Sequence, residues 1–300
     1  MSADTVLEGA RPPVPNYAFD PSDPWTTTMQ SGLARAGLRG CHVYEVGVGS
    51  GTNVVFMLRE CGAELVLGSD LDPRLAVLAK RFVEQAAPEL HDRFRPIHGA
   101  VNLIDVPAAL AETAEVDVVV ACLPQVPDPY DAMCARFHVA QLSAPAGTVS
   151  QVADHIAHYY PWTSFHEYPY NAVGLGLIEA LLRRVRAALP AAEVVLNLSC
   201  RAGKEVLLRL LRANHYRPEE LASRIVRQHH GTDISFFVAL EAAIGGTGYE
   251  RDFVCEFYRD PHGYEPISAH EARERLAHPG EPVYHELCVL RGHPERQRWT

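Results

Sequence analysis

The chain has 300 residues, 47% of them hydrophobic, and a formal net charge of −10 at pH 7. That apolar content suffices for one large core, and the acidic balance argues against nucleic acid as a partner, because phosphate contacts depend on clustered Lys and Arg. No apolar run reaches the roughly eighteen residues of a membrane span and the start lacks a basic-then-apolar leader, so a cytoplasmic protein with no membrane partner is expected.

Residues 1–24 are rich in proline, with Pro12, Pro13, Pro15, Pro21 and Pro24, and read as an extended arm over the domain. Residues 25–300 read as one domain. A helix is expected from Trp25 to Leu38, opened by Asp23 as cap and Pro24 in the first turn. Strands are expected at 42–47, 64–69, 94–98, 116–122 and 193–199, separated by helical patterns at 52–61, 73–86 and 104–113. Such alternation specifies a doubly wound, mostly parallel sheet of the α/β class. Between the fourth and fifth strands lies a long, aromatic-rich insertion, 130–192, ending in a helix whose Ile178, Leu181, Leu182, Val185 and Leu189 recur at helical spacing. A helix at 203–213 and strands at 222–229 and 234–242 follow, and 244–300 reads as a C-terminal extension of antiparallel strands or a small subdomain.

The most informative stretch runs from Val43 to Asn53: an apolar strand, Glu45 near its end, then Gly47, Gly49 and Gly51 entering a helix. Glycines at such a turn let bare backbone approach a ligand. The spacing is G-x-G-x-G, which meets the dinucleotide fingerprint only loosely; the glycines alone also fit an ordinary strand-to-helix turn. A second acid, Asp70, ends the next strand about twenty residues on, the distance at which an acid grips ribose hydroxyls. Asp72 is its rival, but Pro73 after it marks a helix cap.

Acid, glycine loop and second acid together resemble motif I and its partner in the Rossmann-like class I methyltransferases. The resemblance implies S-adenosylmethionine as cofactor, with Glu45, Gly47, Gly49 and Gly51 at its aminoacyl part and Asp70 on the ribose. It further implies Leu71 on an adenine face, Asn102 at the adenine amino group where the family usually has Asp, and Cys122 bordering the site.

Many amino-methylating members carry Asn-Pro-Pro-Tyr after the fourth strand; here the run is Cys122-Leu123-Pro124-Gln125. An amide or amine acceptor thus loses its usual holder. That run, with Gly174 to Ile178, Asn197 ahead of Arg201 and Gly203, and Thr232 to Ser235, resembles the methyltransferase part of plant methionine S-methyltransferases, and also the free-standing bacterial enzymes that open dimethylsulfoniopropionate synthesis. The resemblance implies methyl transfer to the thioether of L-methionine, giving S-methylmethionine.

A thioether has no proton to lose, so no residue is expected to act as acid or base. Alignment is what remains for the protein, and aromatic faces attract sulfonium charge. Trp25, Tyr159, Tyr160, Tyr168 and Tyr170 are the candidates for the acceptor pocket, with Trp25, Tyr160 and Tyr168 as positioning groups; each fits core packing as well. Pro124 and Gln125 border the same pocket, Arg201 is placed to pair with the substrate carboxylate, and Asp233 or Asn171 to receive its ammonium. For Arg201 and Asp233, a surface ion pair and a loop cap are the plain alternatives.

No metal is expected, since His155 and His158 lack an evident third ligand. The seven cysteines form no C-x-x-C pair and read as reduced thiols. A homodimer is the default oligomer. The competing functions are a small-molecule N- or O-methyltransferase, a protein-glutamine methyltransferase, and a non-catalytic cofactor-binding scaffold.

Overall fold

The computed structural model describes residues 22–70, 73–97, 104, 109, 112, 115–125, 169–246, 254–278 and 280–295. In chain order the elements are α1 (Pro24–Leu33), β1 (His42–Val46), α2 (Thr52–Arg59), β2 (Leu65–Ser69), α3 (Pro73–Ala86), β3 (Phe94–Pro96), β4 (Val118–Ala121), α4 (Gly176–Ala188), β5 (Glu193–Ser199), α5 (Lys204–Ala213), β6 (Tyr216–Arg227), α6 (Ser235–Ile244), β7 (Phe257–Tyr258), β8 (Pro266–Ile267), α7 (Ala269–Leu276) and β9 (Tyr284–Pro294). Asp23 opens α1 as expected, its carboxylate accepting from the Trp25 and Thr26 amides at 2.8 and 3.2 Å.

Five strands run parallel in the order β3-β2-β1-β4-β5. Strand β9 then pairs antiparallel with β5 on one side and with β6 on the other, so β6 runs parallel to the first five. The C-terminal segment is therefore an addition to the sheet itself. Short β7 continues the edge of β9 beyond the end of β5, and β8 pairs with β7. This is the expected Rossmann-like sheet, mostly parallel with an antiparallel C-terminal portion.

Side-chain alternation sends successive residues of each strand to opposite faces. Val43, Val66, Val118, Val120, Val195 and Val289 pack with Met29, Leu33, Val54, Met57 and Val83, which puts α1, α2 and α3 over one face. Tyr44, Leu67, Val119, Leu196 and Leu198 pack with residues of α4, α5 and α6 on the other. At Gly32 of α1 a Cβ would lie 2.4 Å from the Val289 side chain, so glycine there sets how closely α1 lies on the sheet.

Three expectations are corrected. The first helix ends at Leu33 rather than Leu38, the chain turning through Gly37 at φ 66°. Residues 234–242 form not a strand but most of α6: Ser235–Ile244 is apolar almost throughout, and such a run cannot be assigned by periodicity. The strand expected at 222–229 is the end of the longer β6, which begins at Tyr216 and carries a register shift between Glu220 and Ala222.

Candidate active site

The strand order reverses between β1 and β4, the position where open α/β sheets form a crevice at the carboxyl ends of their strands. The glycine loop crosses this point and is stitched to the end of β2. The amides of Gly47 and Val48 donate to Ser69 O at 2.9 and 3.0 Å, and the Gly49 amide donates to Asp70 Oδ2 at 3.1 Å. Gly51 has φ 83°, and a Cβ there would lie 3.0 Å from Ala79 Cα, so this glycine lets α2 dock on α3. Gly49 has φ 53° and, among the described residues, nothing within 4 Å of its Cβ position, so none of them covers that side of the loop.

Along the strand ends a row of polar side chains shares the α1 to α3 face. Asp70 follows β2, Glu45 lies on β1, Cys122 follows β4, Asn197 and Ser199 lie on β5, and His285 lies on β9. Glu45, Asp70, Asn197 and His285 are all buried. Glu45 Oε1 accepts from Asn53 Nδ2 at 3.2 Å, while Glu45 Oε2 and Asn53 Oδ1 are buried without a hydrogen bond. Burial raises the Glu45 carboxyl from 4.5 to about 8, with the Asn53 hydrogen bond opposing the rise and Asp70 adding to it. A buried, under-satisfied acid beside an open glycine loop fits a ligand that brings positive charge, as the ammonium and sulfonium of S-adenosylmethionine do.

At the other end of the row Arg201 sits in the short turn Cys200–Ala202 after β5. Its Nε donates to Ser199 Oγ at 2.9 Å and its Nη1 to Gln228 Oε1 at 3.4 Å, and its guanidinium carbon lies 5.3 Å from the centre of the Phe237 ring. No described carboxylate lies in ion-pair range. Burial alone lowers its pKa to about 10, the signature of a cation short of a counter-charge. Trp25 reaches the same end: its carbonyl accepts from Asn197 Nδ2 at 2.9 Å and its ring lies 6.3 Å from that of His285.

Other expected residues have local structural partners. Gln125 bridges to β5, its Nε2 donating to Ser199 O at 2.9 Å and its Oε1 accepting from the Ser199 amide at 2.6 Å. Pro124 is half-buried just ahead of it. Asp233 Oδ1 accepts from the Ser235 amide at 2.8 Å at the start of α6. Tyr170 is half-buried against the core layer of α4 to α6, and Asn171 is buried where a Cβ on Gly176 would meet it at 2.7 Å. Cys122 lies within the row, its Sγ 3.5 Å from Asn197 Nδ2 and its thiol raised to about 12 chiefly by burial. Leu71, Asn102, Tyr159, Tyr160, Tyr168, His155 and His158 lie outside the described residues.

The sequence did not single out Asn53, Ser199, Phe237 or His285. His285 is the most consequential: its Nδ1 lies 3.1 Å from Ser199 Oγ, and burial and then Arg201 hold its pKa well below the ordinary imidazole range. Cys200, Glu256 and Glu286 have the donor types of a metal site, but Lys204 already supplies a cation there, with Nζ 2.7 Å from Glu286 and its amide 2.9 Å from Glu256 Oε1. The described cysteines are free thiols, and among the described residues no helix is long and apolar enough to cross a membrane.

No family model matches the chain. The methionine S-methyltransferases of Zea mays and Hordeum vulgare are each 26% identical to it over 286 residues, a match covering 90% of this chain and 24% of each plant protein. The chain thus spans about a quarter of the length of the curated relatives it matches. Among solved structures, the YcgJ protein of Bacillus subtilis aligns over 90% of this chain and 99% of its own, with a TM-score of 0.46 and 10% identity.

Proposed function

We propose that this chain, similar over most of its length to one part of the plant methionine S-methyltransferases, is an S-adenosylmethionine-dependent methyltransferase acting on the thioether sulfur of free L-methionine. The observation that carries this reading is a pair of buried, under-compensated ionisable groups along one polar row: the acid Glu45 beside the glycine loop, and the cation Arg201 beyond β5.

Glu45 and Asn53 would hold the ammonium of the cofactor, the loop from Gly47 to Gly51 would pass its aminoacyl part, and Asp70, already fixed by the Gly49 amide, would take the ribose. Bound there, S-adenosylmethionine supplies a methyl group on a sulfonium. Arg201 would receive the carboxylate of L-methionine through its planar fork, and the ring of Trp25 would face the sulfonium charge. The balance is S-adenosylmethionine plus L-methionine giving S-adenosylhomocysteine plus S-methylmethionine. A lone pair on the acceptor sulfur forms the new bond, so no proton moves and no base is required. Orientation is what the protein contributes, worth several kcal/mol when sulfur is held within about 3 to 3.5 Å of the methyl carbon. As an extension resting on sequence resemblance alone, the product feeds dimethylsulfoniopropionate synthesis.

Transfer to the nitrogen or oxygen of a small molecule is the second reading, favoured by the neutral imidazole of His285 in the same crevice. Incubation of the pure protein with methyl-labelled cofactor and free L-methionine, followed by mass analysis, separates the two. Labelled S-methylmethionine supports the first; label carried on another acceptor, with methionine untouched, overturns it.

A further inference from the structure

Asn197 lies on β5 in the middle of the polar row, fully buried. Its Nδ2 donates to the Trp25 carbonyl at 2.9 Å and lies 3.5 Å from Cys122 Sγ. The Trp25 carbonyl accepts only, so it fixes which end of the amide is which, and the oxygen is the end left over. That oxygen, Oδ1, is buried without a hydrogen-bond partner. A carbonyl stranded in this way is a standing cost to the fold, which an apolar side chain would avoid.

Its place in the sheet says what it is for, given the reading that the crevice binds S-adenosylmethionine. Strand β4, with Cys122 at its end, separates β5 from β1 and Glu45, two steps of about 4.8 Å. A cofactor whose ammonium rests on Glu45 carries its sulfur four bonds away, short of that span. An amino acid whose carboxylate rests on Arg201 approaches from the opposite side. Held in this way, the two sulfurs would meet near the boundary of β4 with β5, the strand that carries Asn197. We propose that Asn197 Oδ1 meets the methyl group in transit, accepting its polarised C–H bonds, and so makes the site prefer a sulfonium to the corresponding thioether.

Calorimetric titration of the full chain with S-adenosylmethionine and with S-adenosylhomocysteine tests this, because the two ligands differ by one methyl and one charge. Asn197→Leu and Asn197→Asp both lose the donor to Trp25, but only the aspartate keeps an oxygen acceptor. In Asn197→Leu the ratio of the two dissociation constants shifts roughly fivefold toward the thioether, the equivalent of about 1 kcal/mol for a C–H···O contact. In Asn197→Asp the preference for the sulfonium is kept or strengthened. If both ligands weaken equally in Asn197→Leu, Asn197 only tethers α1 and the proposal falls. It also falls if the ratio holds while KM for L-methionine rises, since Oδ1 then serves the substrate ammonium. Wild-type protein that binds neither ligand removes the methyltransferase reading itself.

Discussion

Asn53 donates to one oxygen of Glu45 across 3.2 Å and leaves the other oxygen of that buried carboxyl with no partner. The pair is incomplete in a way that a bound cation completes. In the unfolded chain Glu45 ionises above its ordinary value of 4.5, whereas in the folded protein it keeps its proton up to about 8. For this group, stability is therefore highest below about 4.5, falls as pH rises toward about 8, and is level above that. A cationic ligand reverses the effect by favouring the carboxylate. Binding of S-adenosylmethionine near neutral pH should release a proton and tighten with rising pH until about 8, as read by calorimetry in two buffers of different ionisation enthalpy. Glu45→Gln should abolish the proton release, weaken cofactor binding about tenfold or more, and leave the melting temperature of the free protein unchanged or higher at pH 8. Wild-type binding without proton release would remove Glu45 from the cofactor site.

Arg201 makes a different prediction, because its contacts to Ser199 and Gln228 are to neutral groups. Losing a charge-assisted pair with a carboxylate costs about 2 to 3 kcal/mol, so Arg201→Ala should raise KM for L-methionine about 30- to 150-fold. Cofactor affinity should stay within about twofold, since in the proposed reading Glu45 and the loop would hold that ligand from farther along the row. Arg201→Lys should recover only part of the loss, because an ammonium lacks the planar fork. A fall in melting temperature with unchanged KM would make Arg201 a structural residue of the β5 turn.

The glycines of the loop should separate by role. At Gly51 an added Cβ meets backbone of Ala79 and the φ of 83° is strained for alanine, so Gly51→Ala should destabilise the fold by about 2 kcal/mol or more. At Gly49 the space is open and only the dihedral at φ 53° resists, so Gly49→Ala should cost about 1 kcal/mol of stability. Its effect on S-adenosylmethionine affinity should be the larger one, because the methyl would occupy the side of the loop along which the proposed ligand would pass. Denaturant melts and titrations on both variants check the contrast.

What could be read from the residues follows how local each signal is. Glu45, the three glycines and Asp70 form a strand-turn-helix with an acid one strand away, and the structure joins them through the Gly49 amide. Gln125 reads from the sequence as a residue at the border of the acceptor pocket, and the structure adds that its amide closes on the backbone of Ser199, 74 residues later. Its partner depends on which strand lies next to β4, and one sequence does not state that. The insertion of β9 between β5 and β6 likewise brings His285 to Ser199 across 86 residues. Ser235–Ile244 shows a different limit: with apolar residues on every side, the segment has no period from which to tell helix from strand.

His285 supplies the sharpest test of the chemistry. Burial and the neighbouring Arg201 keep its imidazole neutral near physiological pH, the state that a general base requires. Its Nδ1 lies 3.1 Å from Ser199 Oγ and 3.3 Å from Glu286 O, so the ring is held by the protein on that side. Because its folded pKa lies below the ordinary 6.5, the unfolded chain takes up a proton first as pH falls, and stability from this group is lost below about 6.5. If the acceptor is a thioether, kcat should be flat from about pH 6 to 9, and His285→Gln should lower it less than tenfold, since removing a true base costs about 10²- to 10⁴-fold. A rate that climbs with pH through a single ionisation, and loses that limb in His285→Gln, would instead assign the imidazole to proton removal and the acceptor to nitrogen or oxygen.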